Sequence, residues 1–234
     1  MAPRARFAAL AALAAAGVLS GCRTIAPATP VPPNWAELVA PVRPFAALYR
    51  LSCCGQRNLV MAVRGDAERL SLSVAVPPGG AVLAAWLDGG RGWVERAKEG
   101  CREALPQGVL PLSAKASIPL DPGLAGRLLS GLLPAGSRED AAAAGWVEAT
   151  SSELSWRARV EGPDPHLTRV VVARPGADMP LLDASLGDPH GRVPGSVALK
   201  AGSVKAELAL QSWREADPPP APAWLASPIC GGGR

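Results

Sequence analysis

The sequence predicts a mainly β domain with some helix, built on a single antiparallel sheet of about eleven strands. From Phe45 onward the dominant hydrophobic period is two, which is typical of strands with one buried face. Short Gly- and Asp-containing gaps separate these segments and favour hairpins between neighbouring strands. A single segment, after Asp121, has the spacing of an amphipathic helix.

The first 21 residues have the layout of a signal peptide. Arg4 and Arg6 precede an uncharged apolar stretch from Phe7 to Val18. That stretch is shorter than the roughly 20 residues that a helix needs to cross a bilayer. Because small residues follow it, we expect cleavage rather than a spanning anchor.

The end of this leader, Leu19-Ser20-Gly21-Cys22, resembles the bacterial lipobox. The resemblance implies that Cys22 is acylated, with palmitate or a similar chain, and holds the mature protein on a membrane. In enterobacterial lipoproteins an Asp after the lipidated Cys favours the inner membrane, and this chain has Arg23. We therefore expect the periplasmic face of the outer membrane. A secreted protein with a chance Cys is the alternative.

Charge and motifs exclude several classes of partner. The formal net charge is only +4, and the leader carries two of the Arg residues. No run of Lys and Arg is interleaved with aromatic residues, so we expect no nucleic-acid partner. The sequence has no phosphate-binding Gly motif, and we predict no cofactor and no metal.

Four cysteines besides Cys22 are candidates for disulfides, as expected in an oxidising compartment. A bond between Cys53 and Cys54 is the least expected, because adjacent strand residues point to opposite faces. We expect one of them to join Cys101 and the other Cys230, which would attach the C-terminal tail. The alternative of a metal or redox centre lacks a CxxC pair or a nearby His.

The mature chain divides into three parts. Residues 22–33 comprise the lipidated Cys and a Pro-rich tether. Residues 34–215 form the domain, which begins with a short helix capped by Asn34 and ended by Pro41. Residues 216–234 form a Pro- and Gly-rich tail that we expect to be irregular.

The strands of the domain are predicted from alternation and turns. The clearest case is Leu70, Leu72 and Val74 alternating with polar or small residues. Hairpin turns are predicted at Gly65-Asp66, Asp88-Gly89-Gly90 and Ala201-Gly202. The predicted strands are 45–54, 58–65, 68–76, 81–87, 92–97, 110–116, 145–150, 153–161, 166–174, 192–200 and 203–213.

One helix is predicted inside the domain. Asp121 is its expected N-cap, and Pro122 occupies the first helical position. Its apolar residues have helical spacing and should face the sheet, and Pro134 with Gly136 should close it. These apolar residues are Leu124, Leu128, Leu129 and Leu132.

Three stretches of the domain resemble the LolA/LolB superfamily of lipoprotein localisation factors, most closely the LolB-type outer-membrane receptors. Arg69-Leu-Ser-Leu-Ser followed by Pro77-Pro-Gly-Gly resembles a strand and turn of these proteins. Ile118-Pro-Leu-Asp, continuing to Leu128-Leu-Ser-Gly-Leu-Leu-Pro134, resembles their helix and its exit. Val193-Pro-Gly-Ser-Val-Ala-Leu and the strand ending at Trp213 follow their last hairpin. The resemblance covers residues 34–215.

The resemblance implies a half-open barrel whose concave apolar face is covered by helices, leaving a cavity for acyl chains. The implied partners are the acyl chains of lipoproteins or lipids and a periplasmic LolA-like carrier, in lipoprotein localisation or lipid handling. A filled core is the alternative for each candidate residue. The candidate cavity-lining residues are Leu72, Val74, Leu83, Leu128, Leu129, Leu132, Trp156, Val170, Val172, Leu208 and Leu210.

The chain departs from LolB-type receptors in the loop after the strand that contains Leu72. Those receptors have a protruding Leu there for membrane insertion, and this chain has Pro77, Pro78 and Gly79. The loop offers little apolar area, so Val82 or Leu83 is the alternative for insertion.

An enzyme is not expected, and we assign no catalytic residue. His166 and His190, the only histidines, each follow Asp-Pro, which suits exposed turns. No nucleophile elbow or metal-spaced cluster accompanies them. A structural, assembly or sensory lipoprotein that uses the same scaffold for protein contacts is the alternative function.

Overall fold

Twelve antiparallel strands form one open sheet in the computed structural model. The structure describes residues 35–89, 91–105, 109–113, 116–119, 121–137, 145–150, 154–162 and 164–231. These residues belong to one unit, Val31–Arg234.

The helices and strands follow the chain in a simple order. Helix α1 spans Trp35–Leu38 and α2 spans Pro122–Leu129. The strands are β1 Phe45–Cys53, β2 Gln56–Gly65, β3 Arg69–Ala75, β4 Ala81–Asp88, β5 Arg91–Arg96, β6 Cys101–Leu105, β7 Val109–Ser113, β8 Ala116–Pro119, β9 Trp146–Thr150, β10 Ser155–Glu161, β11 His166–Ala173, β12 Leu182–Gly187, β13 Ser196–Ala201 and β14 Val204–Glu215.

The sheet consists of two meanders joined at the first and last strands. Its order is β6-β5-β4-β3-β2-β1-β14-β13-β12-β11-β10-β9, so β1 pairs with β14 at the centre. The edge strands β6 and β9 do not pair with each other, and the sheet is therefore not closed. The segment from β6 to β9 contains α2 and a separate hairpin, β7 with β8.

The predicted fold class is confirmed, with twelve strands in the sheet where eleven were expected. All three predicted hairpin turns connect antiparallel neighbours: β2 with β3, β4 with β5, and β13 with β14. The predicted strand 110–116 is wrong as a strand of this sheet, because β7 pairs with β8 outside it. Strands β6 and β12 of the sheet were missed, as was β8 of the hairpin.

The inward face of the sheet forms the hydrophobic core. On β3, Leu70, Leu72 and Val74 are buried and alternate with half-buried residues. The same alternation holds on β12 and β13, so that one apolar face continues across the sheet. All these inward residues join a single hydrophobic cluster.

Helix α2 begins as predicted and ends earlier. The Asp121 carboxylate accepts a hydrogen bond of 2.9 Å from the amide of Leu124, and Pro122 is the first helical residue. The helix ends at Leu129, before the predicted Pro134, because Gly131 has φ +67 and the amide of Leu132 donates to the carbonyl of Arg127. Helix α1 is present, and its predicted cap Asn34 lies outside the described residues.

Helix α2 lies across one end of the sheet. A β-carbon at Gly126 would lie 3.2 Å from the carbonyl oxygen of Asp66, in the turn between β2 and β3. A β-carbon at Gly131 would overlap the carbonyl of Arg192, in the connection between β12 and β13. Helix α2 and its exit therefore approach connections in both halves of the sheet.

All four candidate cysteines form disulfides, and the expected pairing is wrong. Cys53 is bonded to Cys54, and Cys101 to Cys230. The two cysteines do not lie on opposite faces of one strand, because only Cys53 belongs to β1. Cys54 has φ +58 and lies in the turn to β2, where strand geometry no longer applies.

The tail is irregular over most of its length, as predicted, but it is attached to the sheet edge. A short 3₁₀ helix spans Ala223–Ala226, and Ile229 then forms a parallel bridge with Arg102 of β6. The amide of Cys230 donates to the carbonyl of Arg102 over 2.8 Å. No helix in the described part of the chain is long and apolar enough to cross a membrane.

Candidate functional site

The predicted cavity-lining residues lie together on the inward side of the domain. Nine of the eleven are buried, while Trp156 and Leu210 are partly buried against the same hydrophobic cluster. Among the described residues, each of the five cavities contains at most one of the eleven. In this conformation their side chains pack as a core.

The cover over the inward face consists of short elements. Helix α2 contacts β3, and the β7–β8 hairpin contacts β4 through β7 and β14 through β8. The cover contributes apolar side chains to the core and is not hydrogen-bonded into the sheet order. Its buried leucines are Leu124, Leu128, Leu129, Leu132 and Leu133.

Arg127 connects the two helices. Its Nη1 donates to the carbonyl of Leu133 over 2.8 Å and to the carbonyl of Ala40 over 3.3 Å. Partial burial lowers the pKa of Arg127 from its usual value, but the guanidinium remains charged. The amide of Leu133 also donates to the carbonyl of Leu38, so the exit of α2 and the end of α1 are joined.

Four buried polar side-chain atoms have no partner among the described residues, in Tyr49, Arg102, Ser130 and Trp213, and those of Tyr49 and Trp213 lie at inward positions of the central strands. The Tyr49 hydroxyl and the Trp213 indole Nε1 are buried and make no hydrogen bond there. Burial raises the pKa of Tyr49 well above its usual value, so its hydroxyl stays protonated. Neither residue was predicted as a site residue from the sequence, although Tyr49 is the only tyrosine and occupies an inward position of β1.

A β-bulge explains why Trp213 points inward. Along β1 the partner changes from Ser212, opposite Leu48, to Leu210, opposite Tyr49. The extra residue, Gln211, shifts the alternation of β14, so that Leu210 and Trp213 share a face. The Trp213 ring stacks on Phe45 with centroids 6.3 Å apart.

The loop at the expected insertion position forms an exposed turn between β3 and β4. Pro77, Pro78 and Gly79 are exposed, and the Pro77–Pro78 peptide bond is cis. Of the two alternatives for insertion, Val82 is 49% exposed and Leu83 is buried. Val76 on the other side of the turn is 41% exposed.

The two Asp-Pro-His turns lie at the end of the sheet that α1 and α2 cover. Asp164, Pro165 and His166 line one cavity of about 500 Å³ together with Pro189 and Arg192 of the second turn and Glu37 of α1. The His166 ring nitrogen Nδ1 lies 3.0 Å from the carbonyl of Asp164, as in a local turn. His190 packs its ring close to Gly195.

The outward face of strands β9 to β12 is polar. The Arg169 guanidinium donates two hydrogen bonds to the Asp183 carboxylate, from Nε to Oδ1 over 2.9 Å and from Nη2 to Oδ2 over 2.6 Å. The hydrogen bonds from Arg169 lower the pKa of Asp183, and the nearby positive charges of Arg169 and Lys200 lower it further. At the β9 edge, the guanidinium groups of Arg157 and Arg159 lie 5.5 and 5.9 Å from the Trp146 ring centroid.

Cys22, the predicted site of lipid attachment, lies outside the described residues, as do the leader and the tether. The only group of His, Cys, Asp and Glu side chains in the described chain that is close enough to share a metal is Glu99, Cys101 and Cys230. Two of these three sulfur and oxygen donors belong to the disulfide described above.

Comparison with known proteins gives likenesses to solved structures only. No family model matches the chain, and no curated protein is significantly similar to it. Among solved structures it is similar to a LolA superfamily protein from Nitrosomonas europaea, with a TM-score of 0.45 and 9% sequence identity. The likeness covers 82% of this chain and 96% of that protein. At this level it says nothing about what the chain binds.

Proposed function

We propose that this protein is a lipid-anchored periplasmic protein that binds acyl chains of lipoproteins or lipids between the sheet and its cover. The observation that carries the proposal is the continuous apolar inward face, which in the described part of the chain is covered by a short helix and a two-stranded hairpin. A cover of this kind can separate from the face without breaking hydrogen bonds of the main sheet.

Acyl binding requires the cover to move, because the candidate residues pack as a core in the closed conformation. Exposing the five cover leucines costs about 1.5–3 kcal/mol each. An acyl chain of about 16 carbons gains about 0.8 kcal/mol for each buried CH₂, or on the order of 12 kcal/mol. The two free energies are of similar size, so exchange of the cover for an acyl chain is close to balanced.

Transfer to a membrane is a finer part of the proposal. The Pro77-Pro78-Gly79 loop inserts only through the flanking Val76 and Val82. Each valine is about half-exposed in the free protein, so burying its exposed part in a membrane contributes about 1 kcal/mol to binding. This is weak membrane binding. The acylated Cys22 then supplies most of the attachment to the outer membrane, and the loop supplies orientation.

Native mass spectrometry tests acyl binding directly. Residues 24–234, exported without the lipid anchor, are mixed with a synthetic diacylglyceryl lipopeptide, with the unacylated peptide as control. We expect a one-to-one complex with the acylated peptide alone. If neither ligand adds mass at concentrations well above the micromolar range, the proposal is wrong.

A scaffold for protein contacts is the second candidate. It is favoured by the β9 edge, where Trp146 and Arg157 border a groove of about 440 Å³. Aromatic and Arg side chains are enriched in protein interfaces. Under this alternative, Trp146→Ala disrupts assembly with a partner in the cell envelope and leaves lipopeptide binding unchanged.

A further inference from the structure

Tyr49 and Trp213 carry polar atoms among the apolar side chains of the two central strands. They lie on the neighbouring central strands β1 and β14, where Tyr49 pairs with Leu210 and Ala47 pairs with Trp213. In a regular ladder diagonal neighbours have Cα atoms about 7–8 Å apart, and here the bulge at Gln211 lies between the two positions. Their polar atoms are buried and lack partners in the described chain.

An unpaired buried donor is costly, and its neighbours offer no remedy. Burying a hydroxyl or indole N–H without a hydrogen bond costs on the order of 1–3 kcal/mol. The residues paired with Tyr49 on both sides are Met61 and Leu210, whose side chains are apolar. Phenylalanine would fill either aromatic position with no unpaired donor.

We propose that Tyr49 and Trp213 donate hydrogen bonds to the carbonyl oxygen of a bound acyl ester or amide. This proposal rests on the proposed function and names the polar group that the inward face recognises. The indole N–H can only donate, and the protonated Tyr49 hydroxyl can donate as well, so the ligand must bring an acceptor. The rest of the ligand must be apolar, because the surrounding side chains are apolar.

A neutral carbonyl is preferred to a carboxylate. An ionised carboxylate would be desolvated on this face, where the buried residues of the described chain include no Lys or Arg, and that is expensive. An ester or amide oxygen accepts the same hydrogen bonds without that cost. The face therefore selects esterified or amidated acyl chains over free fatty acids and over alkanes.

The test compares ligands that differ only in the carbonyl. Methyl laurate and tridecane compete for a bound fluorescent acyl probe on residues 24–234. The variants are Tyr49→Phe and Trp213→Phe, with Met61→Leu as the matched control, since Met61 faces Tyr49 and has no donor. We expect Tyr49→Phe and Trp213→Phe each to weaken the binding of methyl laurate about tenfold and that of tridecane by less than about twofold. Met61→Leu should affect the binding of both compounds equally.

The outcomes separate the two proposals. If Tyr49→Phe and Trp213→Phe weaken the binding of methyl laurate and of tridecane equally, the proposed carbonyl contact is wrong, while acyl binding stands. A lower melting temperature of ligand-free Tyr49→Phe would also overturn it, because the hydroxyl would then have a partner within the protein. If the wild-type protein binds neither compound, the proposed function itself fails. A diacylglyceryl lipopeptide and a phosphatidylglycerol with the same chains, in the same assay, distinguish the source of the carbonyl.

Discussion

The two faces of the sheet treat polar groups in opposite ways. On the outward face, Arg169 pairs with Asp183. On the inward face, Tyr49 and Trp213 are buried without partners in the described chain. Solvent could satisfy an unpaired group on the outward side, but not on the inward side.

This difference indicates where the domain has residues that stability alone would not favour. An alternating strand needs only apolar residues inward and polar residues outward to fold. Polar donors on the inward side oppose folding, and such violations are expected at functional positions. The inward face is therefore the place to look for a ligand, although it is the more completely packed face.

The largest expected effect comes from placing a charge on each face in turn. Val170 and Val171 are neighbours on β11, and only Val170 is buried in the core. Val170→Asp should lower the free energy of unfolding by more than about 4 kcal/mol, because it buries an unpaired charge. Val171→Asp should change it by less than about 1 kcal/mol. Urea unfolding of both variants measures the contrast, and equal effects would show that the faces are wrongly assigned.

Truncation of the cover should give the next largest effect. Leu132→Ala removes a fully buried side chain after α2 and should destabilise the domain by about 3 kcal/mol. Because the cover then opens more easily, lipopeptide should also load faster in stopped-flow fluorescence. A loss of stability with unchanged loading would mean that the cover does not control access.

Asp66 provides a buried polar group that is fully paired. Its carboxylate accepts from the amides of Glu68 and Arg69 and from the Arg69 guanidinium. Burial raises the pKa of Asp66, but these hydrogen bonds and the Arg69 charge outweigh burial and lower it. Asp66→Ala should lower the free energy of unfolding by about 2 kcal/mol. Asp66→Asn should lower it by about 1 kcal/mol, since the Asn side chain still accepts hydrogen bonds from the amides.

The pH dependence of that difference follows from the lowered pKa. A carboxylate whose folded pKa lies below its unfolded value stabilises the protein above about pH 4 and loses this contribution as the pH falls through the folded pKa. The gap in free energy of unfolding between wild type and Asp66→Ala, measured by chemical unfolding, should therefore be complete at neutral pH and shrink below pH 4. A gap that grows in acid would contradict the pairing.

The smallest effect is expected for the outward ion pair. Asp183→Asn removes the charge that pairs with Arg169 on a partly exposed surface. The expected loss is about 0.5 kcal/mol or less, and it should vanish in high salt. Thermal unfolding at two salt concentrations measures it, and a loss that persists at high salt would assign a structural role to this face.

Much of the fold could be predicted from local signals. The alternation around Leu72, the three hairpin turns and the Asp121 cap each depend on a few neighbouring residues, and all are present in the structure. Strand β6 was missed because Cys101–Leu105 is polar on both faces, which the edge position and the attached tail permit. The disulfide pairing depends on a turn at Cys54 that strand alternation does not reveal.

The candidate site was only partly predictable. The apolar residues of the inward face follow from period two, and Leu128 and Leu132 follow from helical spacing. Trp213 was missed because a bulge at Gln211 breaks the alternation, and bulges leave little trace in a single sequence. Whether these side chains separate to admit a ligand depends on relative free energies of two conformations and not on the sequence pattern.

The most direct test of acyl binding on the inward face is photo-crosslinking with a lipopeptide whose acyl chain carries a diazirine. Adducts are located to single residues by tandem mass spectrometry after irradiation of residues 24–234. The account predicts adducts at inward positions such as Leu72 and Val172, with few at their outward neighbours Ser71 and Val171. Adducts confined to the outward side, or to the groove beside Trp146, would contradict it.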